Sequence, residues 1–153
     1  MAESIVISKY IKLFSIAYFL FLVVFGVALA LLDIDGNAGT SIGSLVASIF
    51  IAVSRFVEDN KRIPNKTEKS KLVWYSFFSS WIISLLLFIA VVLFYGGIAS
   101  FEFIPDISLD NLITFGVVFF VISLIYLAGI YFCYGSFAKT ALKSLQKKEK
   151  LAS

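Results

Sequence analysis

The chain has 153 residues, 60% of them hydrophobic and 15% charged, with a mean hydropathy of +0.97. That is too apolar for a soluble domain of ordinary composition, and the length allows one domain. There is no histidine and a single cysteine, Cys133, so the commonest general base and metal ligand is missing and no disulfide can close within the chain; the net charge of +3 would fit a nucleic-acid binder only if the charges were not partitioned as described below.

The first predicted span covers residues 13–32, an uncharged stretch of about 30 Å as a helix, enough for a bilayer core. Lys9, Lys12 and the small-residue stretch Ala28-Leu29-Ala30 outline a cleavable signal, but the run is long for one and is read as a span. The turn Asp33 to Asn37 leads to a second span over residues 38–57, the least hydrophobic of the four. In it Gly39, Gly43 and Ala47 recur every four residues, as do Ser44 and Ser48. Small residues at this spacing let helix backbones approach and serines bond across the contact, so the face is read as a helix–helix seam, with a hydroxyl-lined path as the alternative.

Residues 58–71 form a basic connection in which Pro64 ends what precedes it. Asn65, with Glu68 three residues later, is a capping-box spacing that starts a helix near Lys66. The third span covers residues 72–95, with Trp74 and Tyr75 at one interface, Trp81 deeper, and Ser76, Ser80 and Ser84 in a stripe expected to face the seam of the second span. Residues 98–111 mix aromatic and acidic residues and read as an interfacial segment. The fourth span covers residues 112–134. In the tail, 135–153, Lys139, Lys143, Lys147 and Lys150 share one helical face opposite Phe137, Ala138, Ala141, Leu142 and Leu145, the pattern of an amphipathic helix on a membrane surface.

Twelve of the thirteen Lys and Arg fall before the first span, between the second and third, or after the fourth, and the thirteenth, Arg55, lies in the last turn of the second span, beside the basic connection. The other two connections carry Asp33, Asp35, Glu102, Asp106 and Asp110 and no basic residue. This is the positive-inside pattern of a four-transmembrane-helix bundle, all-α, with N and C termini cytoplasmic and a C-terminal amphipathic helix. The basic surface is expected against anionic lipid, and nucleic acid is excluded as a partner.

No connection is long enough for a soluble catalytic domain, so no enzyme activity and no cofactor are expected. Asp33-x-Asp35 with the later acids is a weak metal motif that lacks the remaining ligands of a calcium loop. No ionisable residue lies near the centre of a span, which disfavours a proton relay. Arg55, about one turn from the cytoplasmic end of the second span, is the charge that comes nearest the centre of a span; Glu58 and Asp59, three and four residues on, are positioned to pair with it. Its readings are a gate or partner contact, or an arginine that snorkels and sets orientation.

The block from Ser41 to Trp81 carries the small-residue second span, Arg55-Phe56, the Arg62-x-Pro64 turn, the Thr67-Glu68-Lys69 helix start and Trp81. In these elements it resembles a family of small four-span bacterial inner-membrane proteins with no assigned activity. The resemblance implies a bacterial cytoplasmic-membrane location and a functional emphasis on the second span and the loop after it; it supplies no catalytic residue. The residues expected to make contacts are Gly39, Gly43, Ser44, Ala47, Ser48, Arg55, Glu58, Asp59, Arg62, Ser76, Ser80 and Trp81. The expected function is that of a non-catalytic accessory or interaction protein, bound to a membrane-protein partner or to itself. The alternatives are an immunity protein against a pore-forming toxin and a small homo-oligomeric channel or transporter. A topology reporter fused at Asn65 is expected to register cytoplasm and one at Asp106 the outer side; reversed signals overturn the orientation.

Overall fold

The computed structural model describes residues 2–33, 38–95 and 109–152. These form four helices: α1 (Ala2–Leu31), α2 (Ala38–Asn60), α3 (Lys66–Tyr95) and α4 (Leu109–Ala152). All four are long and apolar enough to cross a membrane, which makes the chain an all-α, multi-pass membrane protein by length and composition. The expectations for Asp35, Glu102, Asp106 and all but the last three residues of the interfacial segment fall on 34–37 and 96–108, outside the described residues; residues 109–111 belong to α4.

The helices are longer than their apolar runs. α1 and α3, at 30 residues each, reach about 45 Å, and α4, at 44 residues, about 66 Å. A bilayer core takes up about 30 Å of this. The excess is held by protein contacts at the end that carries the basic residues. There α1 contributes Tyr10, Phe14 and Tyr18, spaced by one turn, to a core with Leu45, Ile49, Val53 and Phe56 of α2, Leu72 and Val73 of α3, and Ile130, Tyr134 and Ala138 of α4. Toward the opposite end Val24, Leu85, Leu86, Phe94 and Phe120 are exposed. Exposed apolar side chains carry no cost against lipid tails, so this half needs no packed interior.

Order around the bundle is α1–α2–α4–α3, with α2 and α3 across one diagonal. α2 is the inner helix: 44% of its apolar stretch is buried, against 11% for α1 and 6% for each of α3 and α4. It is also the least apolar, with a mean hydropathy of 1.7 where the others have 2.6, 2.6 and 2.3. A helix that faces protein tolerates serines that a lipid-facing helix would leave without partners.

Two expectations are corrected. The Ser76–Ser80–Ser84 stripe does not face α2, because the diagonal arrangement turns it to α4 and α1. Ser76 Oγ bonds Tyr134 OH at 2.7 Å, Tyr126 OH donates to Ser80 Oγ at 3.4 Å, and Ser84 Oγ pairs with Tyr18 OH at 3.1 Å. Nor is the apolar side of the tail, read as an amphipathic continuation of the last span, turned to the membrane surface. α4 runs unbroken to Ala152, and the apolar side of its last turns, Phe137, Ala141, Leu142 and Leu145, packs on the core, with Phe137 edge-on to Phe50 of α2 at 5.6 Å. Protein covers that side because α2 continues beyond its apolar run and offers it a partner.

In lipid the transfer part of a truncation cost falls away and the cavity part remains. Ile49→Ala, at a fully buried position, is therefore expected to lower stability in mixed micelles by about 1–3 kcal/mol, while Phe94→Ala, at a position 93% exposed, leaves it within about 0.5 kcal/mol of the parent. Equal effects in reversible unfolding would contradict this placement of the core.

Candidate functional site

The last turn of α2 ends on a helix cap that its sequence does not advertise. Lys61 takes a left-handed backbone, φ 55°, and its N–H bonds the Val57 carbonyl at 2.8 Å. This is the single-bond αL stop normally made by glycine. The turn then runs through buried Pro64 to Asn65. Asn65 Oδ1 accepts the Glu68 N–H at 2.8 Å, and Glu68 Oε2 accepts the Asn65 N–H at 2.9 Å, a reciprocal cap that sets the start of α3 at Lys66.

The same Glu68 carboxylate receives Arg62 as a two-pronged partner, Nη1 to Oε2 and Nη2 to Oε1, both at 2.7 Å. Glu68 is 6% exposed, and the guanidinium also lies over the Phe56 ring, 5.6 Å from its centre. A planar fork on a shielded carboxylate is the strong kind of ion pair, stronger than an exposed lysine contact. Lys61 reaches Glu149 of α4 at 2.9 Å with both side chains more than half exposed, and contributes little. The turn is thus a folded clamp in which Arg62 is already engaged by the chain's own carboxylate.

A second node joins the start of α1 to the end of α2. Asp59 Oδ2 accepts Lys9 Nζ at 2.8 Å and Tyr10 OH at 3.0 Å, and Oδ1 lies 3.4 Å from Arg55 Nε. Asn60 Nδ2 donates to Tyr10 OH and to the Phe56 carbonyl, each at 2.9 Å. Arg55 also reaches Glu58 at 3.4 Å, with both side chains half exposed. Tyr10 is 2% exposed, so its hydroxyl needs these partners, and among the described residues they hold it on both its donor and its acceptor side. Lys9, Tyr10 and Asn60 carry no sequence signal for this role, since their partners lie about fifty positions away.

The small-residue face of α2 divides in two. Ser44 and Ser48 are fully buried and return their hydroxyls to their own helix, bonding the carbonyls of Thr40 at 2.8 Å and Ser44 at 2.6 Å. They do not bond across a helix contact; the back-bond four residues earlier is the nearer acceptor. Gly39 and Gly43 are exposed, Ala47 is half-buried, and a Cβ built on Gly43 meets nothing within 4 Å. Gly43 therefore does not serve close packing within the chain. Trp81 lies at the α3–α4 seam, its ring 4.9 Å from that of Phe119.

The expected contact residues do not converge. Arg55, Glu58 and Asp59 form one group, Arg62 joins Glu68, Ser76 and Ser80 meet α4, and the glycines lie on an open face of α2. Among the described residues no three Cys, Asp or Glu come together as a metal site. Comparison with family models, with curated proteins and with solved structures finds no match to this chain.

Glu68→Ala removes both prongs of the Arg62 pair and one half of the α3 cap. A loss of about 1–3 kcal/mol is expected, the range for hydrogen bonds to charged groups. Arg62→Lys keeps the charge without the fork and falls between the two. Thermal melting in detergent checks the order; equal melting points would show that the clamp does not hold the turn.

Proposed function

We propose that the chain is a non-catalytic accessory protein of a bacterial inner membrane that docks a helix of another membrane protein on the open face of α2. In this reading both termini and the turn after α2 are cytoplasmic. The support is the placement of all thirteen basic residues, which segregate to the ends of α1, α2, α3 and α4 that meet at the packed core.

The observation that carries the docking reading is Gly43. A glycine on an exposed helix face within a membrane contributes nothing to the fold that alanine would not also give, and alanine is the better helix former. Its use is close backbone approach, and the space above it is open. The spacing Gly39-x-x-x-Gly43, continued to Ala47, is the small-residue pattern that would offer a crossing helix a shallow groove. The neighbouring Ile42 and Phe50, 54% and 46% exposed, would flank that helix and supply its dispersion contacts.

The clamp supports the same reading from the cytoplasmic side. It holds the end of α2 in one orientation relative to α1 and α3, so the open face is presented rigidly, and a preformed surface binds at a lower ordering cost. The exposed lysines along the last turns of α4 meet anionic head groups and keep that end at the membrane surface. The partner is a membrane protein with an apolar helix; a second copy of this chain is the other outcome of the test.

Gly43→Leu fills the open space without touching the core. It is expected to leave the melting temperature within a few degrees of the parent and to abolish recovery of a stoichiometric partner, foreign or self, after mild solubilisation and cross-linking. A parent chain recovered only as an unassociated monomer, or an association indifferent to Gly43→Leu, would sink the reading.

A further inference from the structure

The α3–α4 seam carries a second surface, on the side of the bundle away from the α2 groove. Near the start of α3, Lys69 lays its ammonium 3.5 Å from the centre of the Tyr131 ring on α4. Gly135, one turn further along α4, makes room for it: a Cβ there would stand 2.8 Å from Lys69 Nζ. Among the described residues no carboxylate lies within ion-pair distance of Lys69, as of several other lysines; what sets Lys69 apart is its seat on the Tyr131 ring. The aromatic face satisfies one side of the cation. An ammonium has three donors, and Lys69, half-buried, stands at the level where the apolar run of α3 begins.

Below this cation, on the same pair of helices, Trp74, Phe78 and Trp81 of α3 face Phe119, Phe120 and Leu127 of α4 across an apolar cleft of about 430 Å³. That is within the size of sites that hold small ligands. Leu127 lies one turn from Tyr131, so the cleft and the cation lie in line. Trp74 is five residues beyond Lys69, about 8 Å along the helix, and Trp81 twelve, about 18 Å. One leaflet of a bilayer core is about 15 Å deep.

We propose that the α3–α4 seam binds an anionic phospholipid, its phosphate on the Lys69 ammonium and one acyl chain along the aromatic cleft. The cation on the ring sets the sign of the head group, and the apolar cleft, which ends about one leaflet's depth beyond it, sets the nature of the tail. A docked helix would need a groove continuing through both leaflets and would have no use for an ammonium at its mouth. The proposal is independent of the α2 reading, which involves neither Lys69 nor the cleft.

Both tryptophans of the chain line this cleft, so tryptophan fluorescence, excited apart from tyrosine, reports on its surroundings. The full chain in phosphatidylcholine vesicles is titrated with phosphatidylglycerol or with phosphatidylcholine, each brominated on its acyl chains. Half-quenching by the brominated phosphatidylglycerol is expected at a mole fraction about fivefold lower, the factor for one basic residue at an anionic head group. Lys69→Gln removes the difference, Lys69→Arg keeps it, Gly135→Ala weakens it by displacing the ammonium, and Lys12→Gln, on α1, leaves it intact. Equal quenching by the two lipids, a preference that survives Lys69→Gln, or one lost equally in Lys12→Gln would overturn the proposal, the last by showing general surface charge.

Discussion

Tyr10 ties the start of α1 to the end of α2. Its ring stands edge-on to Phe56 at 5.0 Å, and its hydroxyl is held by Asp59 and Asn60. Lipid tails are as apolar as leucine, so burying a leucine in this bundle gains little over leaving it in the bilayer. What decides how the four helices meet is then the satisfaction of polar groups and the fit of large side chains. Both are concentrated where Tyr10, Phe56 and Asp59 lie, and the clamp formed by Arg62, Asn65 and Glu68 extends them around the turn into α3.

The same constraint explains the uneven bundle. One end is packed, with Phe14, Ile49, Val53 and Tyr134 fully buried, while apolar side chains at the other end are largely exposed. A soluble protein would have to close that end against water; a membrane protein need not. It also explains why the most polar helix is the innermost. The hydroxyls of Ser44 and Ser48 turn back to their own carbonyls, those of Ser76 and Ser80 meet tyrosines or their own backbone, and none of the four has to face hydrocarbon without a partner.

Two surfaces remain outside this internal accounting of polar groups and side chains. One is the open face of α2 at Gly43, where a Cβ would meet nothing within 4 Å. The other is the α3–α4 seam, where Lys69 rests on Tyr131 above an aromatic cleft. They differ in chemistry: the first suits backbone approach by a helix, the second a head group and a chain.

Helix number, the approximate spans, the start of α3 and the separation of basic from acidic connections were legible in the sequence. Hydropathy over some twenty residues and a cap at Asn65 and Glu68 are local signals, and local signals can be read along a chain. The pairing of Arg55 with Glu58 and Asp59 is legible for the same reason, being set by helical spacing. Helix order was not legible, since a five-residue turn allows α3 to emerge beside α2 or across from it, and only packing around all four helices selects the diagonal. That choice turned the serine stripe of α3 toward α4 and α1, left Gly43 open, joined Lys9 and Tyr10 to Asp59, and seated Lys69 against Tyr131. Each of these depends on residues tens of positions apart meeting in space, a relation that neither composition nor periodicity encodes.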